Sequence, residues 1–141
     1  MKTVRIGYTS GVYDMFHIGH LNILKRAKEN CDYLVVGVTT DKLCFKRKNK
    51  NPIICEQDRV EIVKSIKYVD KVVLQEDMDK LKMVKELGAN IVFVGSDWEG
   101  TPAWIQYEKE FATVGCKVCY LPHTEGISST ILRKLLNEAD L

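Results

Sequence analysis

No run of apolar residues in this sequence is long enough to cross a bilayer, and Met1-Lys2-Thr3 passes straight into a short apolar segment. With no leader-like stretch, the expectation is a cytoplasmic protein without membrane insertion. Excess charge is equally scarce. A net +2 at pH 7 is too small to hold a nucleic acid or an acidic membrane surface, so neither is an expected partner. No repeat or low-complexity tract divides the chain. Its 141 residues, 45% hydrophobic, suit a single domain, 1–141, with one core. Paired cysteines are also lacking: the five present are an odd number and scattered. Cys116 and Cys119 have Cys-x-x-Cys spacing, but they sit in an apolar run that reads as a strand. Residues three apart on a strand face opposite ways, which excludes a zinc knuckle or redox pair and leaves reduced thiols, mostly core filler.

Histidine is scarce too, three in all, and its placement is the strongest signal present. Two fall in Gly11-Val12-Tyr13-Asp14-Met15-Phe16-His17-Ile18-Gly19-His20. An apolar run over residues 4–9 precedes this stretch and reads as a first buried strand. Leu21, Ile23, Leu24 and Ala27 follow it with the spacing of a helix's buried face. Three residues make about one helical turn, so both imidazoles project the same way from the first turn. The backbone N–H groups there lack intrahelical acceptors and the helix end is partly positive. An anion is the natural ligand, and Gly19 lets its oxygens approach the backbone. A lone half-buried histidine at a helix start would be ordinary. Two in one turn, with His123 in the other stretch shaped like a phosphate loop, point to a site.

Strand and helix then alternate. Residues 33–39 form a second strand, apolar at nearly every position and so covered on both faces. Residues 41–52, with Lys42, Lys46, Arg47, Lys48 and Lys50, read as a basic loop. Alone it is a solvated loop; beside a phosphate site it becomes a mobile arm bringing ammonium groups to a polyanion. A helix is predicted over 56–66, a strand over 69–74 and a helix over 79–87 stopped by Gly88. A strand over 91–95 follows, then a helix entered through Thr101 and Pro102 that runs to about 114. A fifth strand spans 117–121. Short links between alternating elements imply a five-stranded parallel α/β sheet with right-handed crossovers and helices on both faces. Ligands bind such sheets at the carboxyl ends of the strands, where residues 11–20, the 41–52 stretch, 95–98 and the loop after 121 all lie.

The last loop, Pro122-His123-Thr124-Glu125-Gly126-Ile127-Ser128-Ser129-Thr130, precedes a helix carrying Ile131, Leu132, Leu135 and Leu136. One serine would serve as N-cap. Three consecutive hydroxyls behind a glycine exceed that need and suit a second phosphate site. Arg133 is close enough to add charge there or is a solvated helix arginine.

Together these motifs, with Gln57-Asp58-Arg59, Tyr68-Val69-Asp70 and Asp97-Trp98-Glu99-Gly100, resemble the cytidylyltransferase family of the nucleotidylyltransferase superfamily, on its glycerol-3-phosphate branch. The resemblance covers residues 4–136. It implies a Rossmann-like fold, a homodimer, and CTP with Mg²⁺. The implied reaction joins CMP to a small phosphorylated alcohol, glycerol 3-phosphate first. It would give a CDP-alcohol and pyrophosphate for surface-polymer (teichoic acid or capsule) or lipid precursors.

By that resemblance His17 and His20 contact the α-phosphate and stabilise transition-state charge, with Lys46 as a third catalytic group. Val12, Tyr13 and Gly19 lie against the nucleotide, and Asp14 orients the histidines or helps place the metal. Lys48 reaches the triphosphate, and Asp97 and Trp98 border the pocket. His123, Thr124, Gly126, Ile127, Ser128, Ser129, Thr130 and Arg133 complete the nucleotide site. Arg59 and Lys80 bind the acceptor or support the site. No side-chain metal ligand is implied, Mg²⁺ being held by phosphates.

The chain departs from the family pattern at His123 and Lys67, where arginines are expected, and at Ser96, where an acid is expected. A one-residue gap leaves open which of Lys46 and Lys48 does which task. Another acceptor (phosphocholine, phosphoethanolamine, another polyol or hydroxyalkyl phosphate), ATP as donor, or a non-catalytic nucleotide-binding module are the alternatives. A tRNA synthetase fragment also carries His-Ile-Gly-His, but its Lys-Met-Ser-Lys-Ser partner is absent.

Overall fold

The computed structural model describes residues 4–122 and 128–138. Five parallel strands, β1 (Ile6–Gly11), β2 (Tyr33–Thr39), β3 (Lys71–Gln75), β4 (Ile91–Gly95) and β5 (Lys117–Leu121), form one sheet in the order β3-β2-β1-β4-β5. Helices α1 (Ile18–Glu29), α2 (Asp41–Lys48), α3 (Glu56–Lys64), α4 (Lys80–Leu87), α5 (Pro102–Ala112) and α6 (Ser129–Glu138) connect or follow them. The strand order reverses direction between β1 and β4, and a crevice opens there at the carboxyl edge. This is the expected Rossmann-like α/β architecture.

The uniformly apolar β2 divides its side chains between two cores. Leu34, Val36 and Val38 pack with Leu24, Ala27 and Val63 under α1 and α3. Val35 packs with Tyr8, Val84, Val92, Trp104 and Phe111 under α4 and α5. Successive residues thus reach opposite faces, and both faces are dry. Tyr8 crosses β2 so closely that a Cβ on Gly37 would collide with its buried phenol ring, so glycine suits that position. The hydroxyl donates to buried Gln75. At the end of α4, Gly88 (φ 65°) takes the left-handed C-cap that the sequence predicts.

Several element ends shift by one to two residues from expectation, and three differences have a clear physical cause. β1 begins at Ile6, because Val4 is exposed and the Arg5 carbonyl accepts from Asp32 and Tyr33 instead of joining the ladder. β3 begins at Lys71, because the Asp70 carboxylate is drawn to the Leu34 N–H and Lys28. The 41–52 stretch is no mobile arm through most of its length: α2 occupies its first eight residues. Thr40 Oγ1 accepts from Leu43 N–H at 3.1 Å, Asp41 sits in the positive first turn and Lys46, Arg47 and Lys48 in the negative last turn. Leu43 and Cys44 are buried and anchor it, and Asn49 closes it at φ 56°.

All five cysteines are free; Cys44 and Cys116 are buried and Cys55 is exposed. Burial pushes the Cys116 thiol up to about 11, which keeps it protonated and unreactive. Among the described residues no helix is long and apolar enough to cross a membrane.

Candidate active site

The stretch between β1 and α1 is shaped by two strained residues and one buried acid. Tyr13 (φ 55°) and Met15 (φ 50°) both take left-handed backbone, which side-chain-bearing residues rarely adopt. Tyr13 is held by burial in the core under α1. Between them, Asp14 is 4% exposed and its carboxylate accepts Ile53 N–H and Ile54 N–H, each at 2.9 Å, and an Arg133 N–H at 3.0 Å. Its own carbonyl accepts from Ser129 Oγ at 2.6 Å.

That turn delivers the histidines to the start of α1. His17 is the N-cap: its Nδ1 accepts Gly19 N–H at 3.0 Å, and its own backbone N–H donates to His20 Nδ1 at 3.2 Å. The rings stack with centroids 3.9 Å apart and 25° between planes. Tyr13 meets the His20 ring edge-on at 5.4 Å and Phe16 tilts against it at 5.2 Å. A nitrogen that accepts a backbone N–H carries no proton, so both rings keep theirs on Nε2. Burial, then the neighbouring His17, lowers the His20 pKa to about 4, and burial lowers that of His17. Both are neutral N–H donors at pH 7. Among the described residues, His17 Nε2 is shielded from solvent and has no hydrogen-bond partner.

The cleft over these rings has a volume of about 730 Å³. Val12, Tyr13, Asp14, His17, Gly19 and His20 form its floor, and Trp98, Ser128, Ser129, Thr130 and Arg133 face them. The α6 hydroxyls are partly committed: Ser128 caps the helix, accepting Ile131 N–H at 3.0 Å, and Ser129 donates to Asp14. Thr130 is exposed on the cleft. The beginnings of α1 and α6 therefore meet at one cleft, tied together through Asp14. His123, Thr124, Gly126 and Ile127 lie outside the described residues.

The lysines are sorted by helical geometry. Cys44 and Lys48, four residues apart on α2, line this cleft. Lys46 lines a different one with Lys42, Arg47, Glu56, Glu76 and Asp77, which corrects its expected place beside the histidines. Lys50, past the end of α2, lines the histidine cleft, and the sequence reading did not single it out. Ile23, expected only on the buried face of α1, and Pro52, expected only as the end of the basic stretch, line the cleft as well. Trp98 borders the cleft from a 3₁₀ turn, Ser96–Trp98; its neighbour Asp97 is exposed and is not among the lining residues.

Of the two roles expected for Arg59, acceptor binding or support of the site, its surroundings match support. It is fully buried, with Nη1 donating to the carbonyls of Val12 and Thr39 (2.7 Å each), Nε to Ile54 (2.9 Å) and Nη2 to Asp41 (2.5 Å). Enclosed in this way it supports the site and touches no acceptor. Lys80 lies outside both clefts: its ammonium donates to Ser10 Oγ at 2.9 Å and sits 5.8 Å over the Trp104 ring. Burial, with a smaller push from Arg47, lowers its pKa to about 8.

A resident metal finds little here. Among the described residues Asp14 is the only carboxylate lining the cleft, and its oxygens already hold three N–H groups. No group of three or more metal-ligating side chains occurs among the described residues.

Residues 8–135 match the family model described as cytidylyltransferase-like. The glycerol-3-phosphate cytidylyltransferase of Bacillus subtilis (strain 168) is 35% identical over 127 residues, 89% of this chain and 92% of that protein. The FAD synthase of Thermococcus sibiricus (strain DSM 12597 / MM 739) is also 35% identical, over 123 residues, 86% of this chain and 82% of that protein. Among solved structures, that of the lipopolysaccharide core biosynthesis protein from Thermoplasma volcanium GSS1 has a TM-score of 0.72 at 28% identity, covering 86% of this chain and 98% of that one.

Proposed function

Because this chain belongs to the cytidylyltransferase-like family, we propose that it transfers CMP from CTP to a small phosphorylated alcohol, glycerol 3-phosphate first. The products are a CDP-alcohol and pyrophosphate, used in the cytoplasm for surface-polymer or lipid precursors. The protein works as a homodimer, and CTP enters as its Mg²⁺ complex, the ion neutralising charge on the phosphates.

The acceptor is a phosphate monoester, already an oxyanion near neutral pH, so no general base is needed. Its oxygen attacks the α-phosphorus of CTP, the bond from that phosphorus to the bridging oxygen breaks, and pyrophosphate carries away the electron pair. The protein must align these groups and neutralise growing charge. His17 and His20 offer Nε2–H groups to the α-phosphate, while Lys48, Lys50 and the α6 beginning take the β- and γ-phosphates. Trp98 gives the base a flat apolar wall.

The observation that carries this reading is the His17 Nε2–H, on a ring that lines the cleft, held by its Nδ1 bond and without a hydrogen-bond partner among the described residues. A donor in that state suits charge that appears only during reaction. The test is pyrophosphate release from four NTPs against a panel of phosphorylated alcohols; CTP with glycerol 3-phosphate is expected to turn over fastest.

The FAD synthase relative favours a second reading on the same cleft: AMP transfer from ATP to the phosphate of FMN. Adding ATP with FMN to the panel separates the two. No turnover with any pair overturns both.

A further inference from the structure

Arg133 has the position of a phosphate ligand, on the first turns of α6 and lining the cleft. Its hydrogen bonds lead elsewhere. Nη2 donates to Asp14 Oδ2 at 3.0 Å and to the Asn51 carbonyl at 3.3 Å. Asp14 in turn receives Ile53 N–H on Oδ2 and Ile54 N–H on Oδ1. Residues 49–54, which carry Lys50 and Pro52 into the cleft, belong to neither helix nor strand. Hydrophobic burial does little for them: Ile53 is 51% exposed and Asn51 is exposed as well. What holds this segment is polar, and most of it converges on one carboxylate that Arg133 completes. The same carboxylate belongs to the residue whose carbonyl takes the Ser129 hydroxyl.

We propose that Arg133 is a positioning residue: through Asp14 it clamps the 49–54 segment against α6, so that Lys50 and the α6 beginning face one nucleotide triphosphate. The reading of the ligand as a nucleotide rests on the function proposed above; the clamp itself does not. Asp14 is nearly buried, and a buried carboxylate that loses its cationic partner keeps only two backbone donors. The 49–54 backbone then exchanges a fixed position for a set of looser ones. Nucleotide binding must select the closed arrangement from that set, and apparent affinity falls by the fraction closed. A direct ligand would behave otherwise. Its loss would weaken binding with the empty protein's 49–54 segment undisturbed.

The experiment compares Arg133→Gln and Arg133→Lys with the unmodified full chain. Amide hydrogen exchange at Ile53 and Ile54 is read without nucleotide, CTP affinity is read by calorimetry, and kcat and KM are read for CTP. In Arg133→Gln, exchange at both amides is expected to quicken about tenfold while Val36 in β2 is unchanged, reflecting loss of one charge-assisted bond to the carboxylate. CTP affinity is expected to fall about tenfold, KM to rise with it, and kcat to stay within about threefold. Arg133→Lys, which keeps a cationic donor, restores part of both effects. Adding Arg133→Gln to Asp14→Asn is expected to cost little beyond Asp14→Asn alone.

Unchanged Ile53 and Ile54 exchange in Arg133→Gln overturns the proposal, as do additive losses in the double variant. If the unmodified protein binds neither CTP nor ATP, the proposed function fails, and the exchange measurement still decides the clamp.

Discussion

His17 and His20 lock each other's protons: the stacked rings, 3.9 Å between centroids, each turn Nδ1 toward a backbone N–H of the same helical turn. Two imidazolium ions at that distance would repel, and protonation at either Nδ1 would break the capping bond it accepts. The arrangement therefore exists only with both rings neutral, which is the state that offers two Nε2–H donors to an anion.

Acid should dismantle the turn. In the folded protein His20 has a pKa of about 4 against an ordinary 6.5, so the unfolded chain binds the proton more readily. Stability contributed by the neutral ring is complete above pH 6.5 and declines as pH falls toward 4. Urea unfolding midpoints measured from pH 7.5 to 4.5 should drop more steeply for the native sequence than for His20→Asn, which cannot titrate there. Parallel slopes would contradict the lowered pKa.

The lysines divide by the cleft they line. Lys48→Ala and Lys50→Ala should each raise KM for CTP about tenfold, the loss of one charge-assisted phosphate contact. Lys46→Ala, on the other cleft, should stay within about twofold. Steady-state kinetics at fixed acceptor concentration checks all three.

Arg59 should matter for folding. Its guanidinium is buried and donates four hydrogen bonds, three to backbone carbonyls and one to Asp41. Arg59→Met leaves those acceptors unpaired and is expected to cost about 3 kcal/mol or more in urea unfolding at pH 7. A variant of normal stability with a raised acceptor KM would return Arg59 to the binding site.

Lys80 presents the reverse case. Its ammonium is held in a buried place where burial lowers the pKa to about 8, so carrying the proton there at pH 7 is unfavourable. Lys80→Met should leave the unfolding midpoint at pH 7 unchanged or higher and, since the ammonium lies outside both clefts, keep the acceptor KM within about twofold. A lowered midpoint, or a severalfold rise in the acceptor KM, would contradict this placement.

The strands were legible where both faces are apolar. The bounds of β2, β4 and β5 can be read directly from their unbroken hydrophobic runs. α2 was not, because only Leu43 and Cys44 anchor it while four of its eight residues are lysine or arginine, and composition masks the Thr40 cap and the charge gradient that favour a helix. The paired histidines were visible from spacing alone. Their mutual capping was not, since it depends on side-chain torsions that no pattern encodes. Asp14 as the tie between three segments was beyond the sequence for another reason: its partners are 39, 40 and 119 positions away, a relation only the folded chain creates.

The most direct test of the account is turnover by the unmodified protein and by His17→Ala with CTP and glycerol 3-phosphate, scored as pyrophosphate and CDP-alcohol formed in equal amounts. The account predicts turnover for the first and a loss of about a hundredfold or more in kcat for the second, with stability lowered by no more than the loss of one helix cap, about 1 kcal/mol. His17→Ala turning over at the native rate, or a native protein that releases no pyrophosphate from any nucleotide, would contradict it.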